Sequence, residues 1–521
     1  MTAWPHVDLL TRRISMTAVV VLALLAAHRS AVADDSCRPI VPEATDDVAR
    51  AGLPTESARW RAVERLWSEA ARSVEDDASQ ALSSGSLGDA ADLIQGRTND
   101  ALREAIKQRQ DTLAHSMLGL WLKPLDKLSR RDRVLAYYLT PTQRLSEARL
   151  DHAQEMWVGP DGVETILYSA IYLAGATDIA LAVALRPPAE RSEALAIYSR
   201  RISKLALSHY KRWAFGPPYV WQVRGWGCDA SGFDLVEFTR RRANRSLGNG
   251  SSAYCVAPTD LDMLLMIGIS NLLRLSDIAP DLITVPLQDR ERLASLLRLQ
   301  ADYMASRLVW TTMTDDDGRL VSAVDFDPGA WTSHPDWSHA AEETPRFPTA
   351  HSHVKLGIGR DLAHGYRIAW MALTLAEHPD VVAETADWGA VADALAHQLA
   401  YRVLDTTAEV PRFRNYLDGS NGWYRVNVDG RDGFGFPPYG LSRTYLETAW
   451  ARLANRDPKL LAATAKMWKI LADPSRAECD DFNRFYVEGN FWKDRKPFPR
   501  AFSGPTGNMS ILPFVAVSPV Q

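Results

Sequence analysis

Apolar positions recur at helical spacing along most of the chain. Trp60, Val63, Leu66 and Trp67 mark one face of a helix capped by Thr55, with Glu56 in the first turn, where the helix dipole favours an acid. Similar patterning predicts helices over 101–128, 143–156, 164–185, 188–213, 260–275, 286–310, 360–377, 388–403, 441–454 and 458–471. Strand signals are few, at 320–326 and 424–428. Aromatic stretches bearing Gly and Pro interrupt the helices at 215–254, 315–349 and 407–438, and a similar tail covers 480–513. Helices joined by long aromatic loops predict an all-α fold, an (α/α)n toroid or barrel. Paired helices would form its wall and loops at one mouth a cleft, whereas a plain bundle favours shorter connections.

Composition narrows the function classes. With 521 residues and 46% hydrophobic content, the chain can bury a large core. The net charge of -5, with signs interspersed, gives no support to nucleic-acid binding. At the N-terminus, Arg12 and Arg13 precede an apolar run over 16–27, and Ala31-Val32-Ala33 fits an export cleavage site. The run is about half of the ~20 residues a spanning helix needs, so no permanent membrane anchor is expected. The predicted organisation is a signal peptide over 1–33, a flexible leader over 34–54 and one catalytic domain over 55–521, periplasmic or secreted. Four cysteines in an exported chain suggest disulfides, with Cys228–Cys255 and Cys37–Cys479 the favoured pairing.

Candidate chemistry concentrates over 310–370, which holds five of the twelve histidines: His334, His339, His351, His353 and His364. At 100° per residue, Arg360, His364 and Arg367 fall within about 60° of one another on a helix start, and Tyr366 points away. That basic stripe, at a terminus already favouring anions, suits a carboxylate. His351 and His353 form an H-x-H pair without a defined third ligand. Proton transfer or substrate contact is therefore expected of them rather than a metal, and no cofactor is implied. Trp337, Trp423, Tyr424 and Tyr416 lie in loop regions, where flat rings can stack on sugars.

Gly359-Arg360-Asp361-Leu362-Ala363-His364 resembles the Gly-Arg-Asp-Gln-Gly-His helix start of alginate-lyase-like helical-toroid polysaccharide lyases, with Leu362 and Ala363 as departures. Pro437-Pro438-Tyr439-Gly440-Leu441-Ser442 is similar to a helix start of the same context. The resemblance implies an exported toroid that cleaves an acidic, uronate-containing polysaccharide by β-elimination. Histidine and tyrosine would transfer protons while arginine or histidine neutralises the carboxylate. The expected catalytic residues are His364, Tyr439, Arg360, His353 and His351. The expected substrate contacts are Trp337, Trp423, Tyr424, Tyr416, Arg367 and Asp361. Two other readings stand beside it: a glycoside hydrolase using two carboxylates on the same toroid, and a non-catalytic glycan-binding envelope protein.

Overall fold

In the computed structural model, which describes residues 39–137, 144–215, 234–246, 253–344, 347–348, 351–382, 384–428, 432–487, 491–492 and 509–521, the chain is 62% helix and 10% strand. The fold is therefore mostly helical. The principal elements are α1 (Glu56–Ser83), α2 (Leu87–Lys107), α3 (Asp111–Leu122), β1 (Ser129–Tyr137), β2 (Arg144–Met156), β3 (Val163–Thr165), α4 (Ile166–Ala184), α5 (Glu193–Phe215) and α6 (Leu235–Ala243). They continue with α7 (Asp260–Ile278), α8 (Leu287–Ala305), β4 (Leu308–Thr314), β5 (Leu320–Phe326), α9 (Leu362–Ala376), α10 (Trp388–Gln398), β6 (Leu404–Asp405) and β7 (Arg412–Phe413). Three helices complete the set: α11 (Pro458–Ala472), α12 (Arg476–Phe482) and α13 (Leu512–Val517).

The most apolar helix, α4, is long and apolar enough to cross a membrane, but 89% of that window is buried inside the fold. It packs between α2 and α7, with α5 outside it. The succession continues from α7 to α9 and from α9 to the 3-10 segment Ala449–Arg456, while α13 packs on α2. Helices α1, α5, α8, α10 and α11 lie against this inner set. Among them charges are buried as networks: Arg452 pairs with Asp100 and lies 3.5 Å from Asp178, which also receives Asn99 at 3.1 Å and sits 3.7 Å from Arg103.

Several elements differ from the sequence pattern. The stretch expected as helix over 143–156 is strand β2, antiparallel to β1, which no sequence signal announced. Glu147, Arg149, Asp151 and Glu155 alternate with Ala148, Leu150 and Met156, a period of two rather than 3.6. The helix expected over 101–128 breaks at Arg109, whose φ is 60°. That expected over 286–310 ends at Ala305, and Trp310 belongs to β4, paired with the correctly anticipated strand β5. The helix expected over 441–454 is interrupted at the extended Thr448. Only an isolated bridge, Tyr424 to Phe436, forms where a strand was expected over 424–428.

The leader is not loose throughout. A short helix, Thr45–Ala51, packs on α11, and the Ile40 and Val41 N–H groups both donate to the Leu471 carbonyl. The expected signal segment lies outside the described residues. Neither Cys255 nor Cys479 is a free thiol, and their expected partners, Cys228 and Cys37, lie outside the described residues.

Replacing Arg452 by Met should strand Asp100 as a buried charge, Asp178 keeping Asn99 and Arg103, and destabilise the fold by about 3–5 kcal/mol. Urea unfolding monitored by circular dichroism measures this; a loss below about 1 kcal/mol would mean this carboxylate behaves as an exposed one.

Candidate functional site

Helix α9 begins at Asp361, which is wholly buried and caps it: Oδ1 accepts the His364 backbone N–H at 3.0 Å. The same carboxylate holds the His364 ring, with Nδ1 2.9 Å from Oδ1 and 3.0 Å from Oδ2. The loop over 415–424 is laid across this helix start. Leu362 N–H donates to Asn415 O at 3.0 Å and Leu417 N–H to Arg360 O at 2.9 Å. Gly359 permits the approach, because a Cβ there would meet Asp418 N at 2.5 Å. The loop delivers Tyr424, whose hydroxyl lies 3.1 Å from His364 Nδ1 and 3.4 Å from Asp336 Oδ2. Asp336 is held in turn by Arg425 Nε at 2.8 Å.

This arrangement sets the proton inventory. Burial alone would raise the Asp361 pKa, but His364 and Arg360 outweigh it and hold the group low, hence ionised. Nδ1–H then donates to Asp361, and the Tyr424 hydroxyl donates to Asp336. Burial, reinforced by Asp361, pushes the Tyr424 phenol well above its ordinary range. The free atom is Nε2. It has no hydrogen-bond partner among the described residues, lies 3.8 Å from Asp260 Oδ2, and belongs to a side chain that keeps 23% of its surface. A histidine with one nitrogen fixed by a carboxylate and the other open is arranged as a general base.

The basic stripe forms, and it has an occupant. Arg360 Nη2 reaches Asp260 Oδ1 at 2.6 Å and Arg367 Nη1 reaches Oδ2 at 3.0 Å. The carboxylate that Arg360 and Arg367 grip is therefore the chain's own, at the start of α7. Burial alone would raise Asp260, but Arg367, His364 and Arg360 pull it down to about 2. Asp260 was not anticipated: an acid in the first turn after Thr259 reads as an ordinary dipole partner. Asp92 of α2 was missed too. It reaches solvent from a recess, where desolvation raises its pKa, Arg367 lowers it, and Asp89 and Asp260 raise it again.

No protein-family model, curated protein or solved structure matches this chain.

The remaining expected residues divide by position. Trp337 is buried, stacked on Trp331 with centroids 5.4 Å apart, and meets the Tyr424 ring edge-on. Trp423 is fully buried and donates from its indole to Thr344 O at 2.7 Å, and Tyr416 is fully buried with its hydroxyl on Trp423 O at 2.8 Å. These three rings, with Tyr424, pack the loops onto α9 and have no free face for a sugar. Tyr439 belongs to another cluster: its hydroxyl donates to Asp405 at 2.6 Å and its ring lies 4.1 Å beneath the Arg412 guanidinium. His353 is exposed, 3.4 Å from Glu342, and His351 is exposed nearby. Neither joins His364 among the described contacts. Asp361 orients His364 and is too buried to touch a substrate. Among the described residues, no group of three or more His, Cys, Asp or Glu is placed to hold a metal ion.

Asp260→Asn should release Arg360 and Arg367 as buried, unpaired cations and destabilise the protein by about 3–5 kcal/mol at neutral pH. Because the Asp260 pKa is depressed from 3.8 to about 2, its stabilisation is present above pH 3.8 and disappears as pH falls through 2. The gap between wild type and variant in urea midpoint should therefore close over that window; a gap independent of pH would contradict the assignment.

Proposed function

We propose that this protein is an exported polysaccharide lyase that cleaves a uronate-containing glycan by β-elimination, with His364 as the base. The observation that carries the reading is the Asp361–His364–Tyr424 contact, which fixes Nδ1 and leaves Nε2 open. His364 Nε2 would take the proton at C5 of the uronate, the electron pair would move to form the C4–C5 double bond, and the C4–oxygen bond would break. The same nitrogen can return the proton to the departing oxygen when both lie on one face of the sugar. Tyr424 and Asp361 act here as positioning residues, not as groups that reach the sugar.

We infer further that the inner succession α2, α4, α7, α9, Ala449–Arg456 and α13 closes into an (α/α) toroid. The return of α13 onto α2 supports this. So does the joining of the starts of α7 and α9, where Arg360 and Arg367 both reach Asp260.

A glycoside hydrolase is favoured by one observation of its own. Burial, with a smaller contribution from Asp260, pushes the Asp92 carboxyl up, while Arg367, His364 and Arg360 hold Asp260 down, the division an acid and a carboxylate partner need.

Incubation with a panel of uronate polymers separates the two. Unsaturated products, seen by ultraviolet absorbance, are expected, and His364→Ala should lower turnover by about 10²–10⁴-fold, while Tyr439→Phe should leave turnover unchanged. New reducing ends without the chromophore would mean hydrolysis. Silence across the panel with intact folding would remove both.

A further inference from the structure

A cavity of about 750 Å³ lies beside the His364 cluster, lined by Arg245, Arg307, Asp327, Thr332, Ser333 and His334 among others. Neither the sequence pattern nor the chemistry at His364 uses it. Arg307 and Asp327, which flank hairpin β4–β5 at its base, belong to its wall. The hairpin is set by the Asp315 turn, in which Oδ1 accepts Arg319 N–H at 2.7 Å, and β5 ends immediately before Asp327. Asp327 has φ 48°, a conformation that side-chain-bearing residues rarely adopt. Three contacts hold it there: Asp327 N–H donates to Arg307 O at 2.9 Å, Ala330 N–H donates to Asp327 O at 3.1 Å, and Gly329 N–H donates to Ile358 O at 2.8 Å.

Two buried polar atoms on this wall have no hydrogen-bond partner among the described residues: Asp327 Oδ2 and Thr332 Oγ1. The Asp327 side chain is only 9% exposed; Arg307 Nη1 lies 3.7 Å from the other oxygen, and Arg245 and Arg360 act on the carboxylate electrostatically from farther away. An unpaired buried acceptor is unfavourable by itself and becomes favourable when a ligand hydroxyl donates to it. At the rim, Arg245 is exposed and makes no ion pair among the described residues. An exposed cation beside a buried carboxylate oxygen and a buried hydroxyl, both without hydrogen-bond partners among the described residues, matches a molecule carrying one anionic group and several hydroxyls, once the wall yields enough for the hydroxyls to reach them.

His334 connects this cavity to the cluster. It lines the wall, meets Trp331 and Trp337 edge-on, and its Nδ1 accepts the Asp336 backbone N–H at 3.2 Å. Asp336 is the residue that accepts the Tyr424 hydroxyl.

We propose that the cavity is a binding subsite for one carboxylated sugar unit, with Arg245 taking the carboxylate while Asp327 and Thr332 take ring hydroxyls. The choice of a uronate rests on the lyase reading; the cavity and its buried polar atoms do not.

Titration calorimetry of the full chain with glucuronate, and with glucose and acetate as controls, tests it. Glucuronate should bind, and both controls should bind more weakly. Arg245→Gln should raise the glucuronate Kd about tenfold, and Thr332→Val should raise it by a smaller factor. No glucuronate binding, acetate binding as tightly as glucuronate, or a Kd unchanged in both variants with intact circular dichroism would overturn the subsite. The failures are distinguishable: polymer cleavage without this binding removes the subsite and leaves the lyase, and binding without cleavage does the reverse.

Discussion

A single carboxylate, Asp260, ties the starts of two neighbouring helices together. It sits at the first position of α7 and receives Arg360 and Arg367 from the start of α9, so two neighbouring inner helices are joined at the same end. Two buried arginines on one buried carboxylate leave a local excess of positive charge, and that excess keeps Asp260 ionised despite its burial. The joint fixes α9 in register, and with it the orientation of His364. Arg360 is gripped on its other side by Pro258 O and lies over the Trp331 ring, so the loop before α9 is held by the same group.

From that joint the loops follow. Trp331 stacks on Trp337, Trp337 meets Tyr424, and Tyr424 meets His364. The aromatic residues that look like a sugar-binding surface in the sequence form instead a dry layer between the loop over 315–344 and the loop over 415–436. Their burial supplies the apolar area that long loops otherwise lack, which lets polar loop backbone lie fixed against the helices. Rings used in this way fix the orientation of His364 and offer no surface of their own.

The sequence was legible where local rules decide the outcome. The 3.6-residue stripe of α9 and the shared face of Arg360, His364 and Arg367 depend on neighbours within a few positions, and both are present, whereas Asp361, expected as a substrate contact, is the helix cap. It was illegible where partners come from distant elements. Asp260 lies about a hundred residues from Arg360 in sequence, so nothing local says that the anion sought by the stripe is already supplied. Tyr424 was placed among sugar contacts because its loop is rich in Gly and Pro, yet its position follows from its paired backbone bonds with Phe436 and from the next residue, whose Arg425 N–H donates to Asp336 O. Tyr439, chosen for its place at a helix start, is drawn away by Asp405, its hydroxyl's nearer acceptor. Strand β2 was lost because its charges alternate with small and apolar side chains, a pattern that charge-rich helices also tolerate.

Charge accounting at the cluster constrains where a substrate anion can be recognised. Around His364 stand Arg360, Arg367 and Arg425, and opposite them Asp260, Asp361 and Asp336, each arginine in contact with one of these carboxylates. Formal charges there cancel, and breaking any pair to bind a uronate would expose a buried carboxylate to a second negative charge. The cluster is thus suited to proton transfer and poorly suited to being the principal anchor for an acidic polymer. Arg245, which lines the neighbouring cavity, is exposed and makes no ion pair among the described residues, although it acts electrostatically on Asp327. Cluster and cavity are separate, adjoining features. His334 and Asp336 form the rigid span between them, because His334 is fixed by Trp331, Trp337 and the Asp336 backbone together.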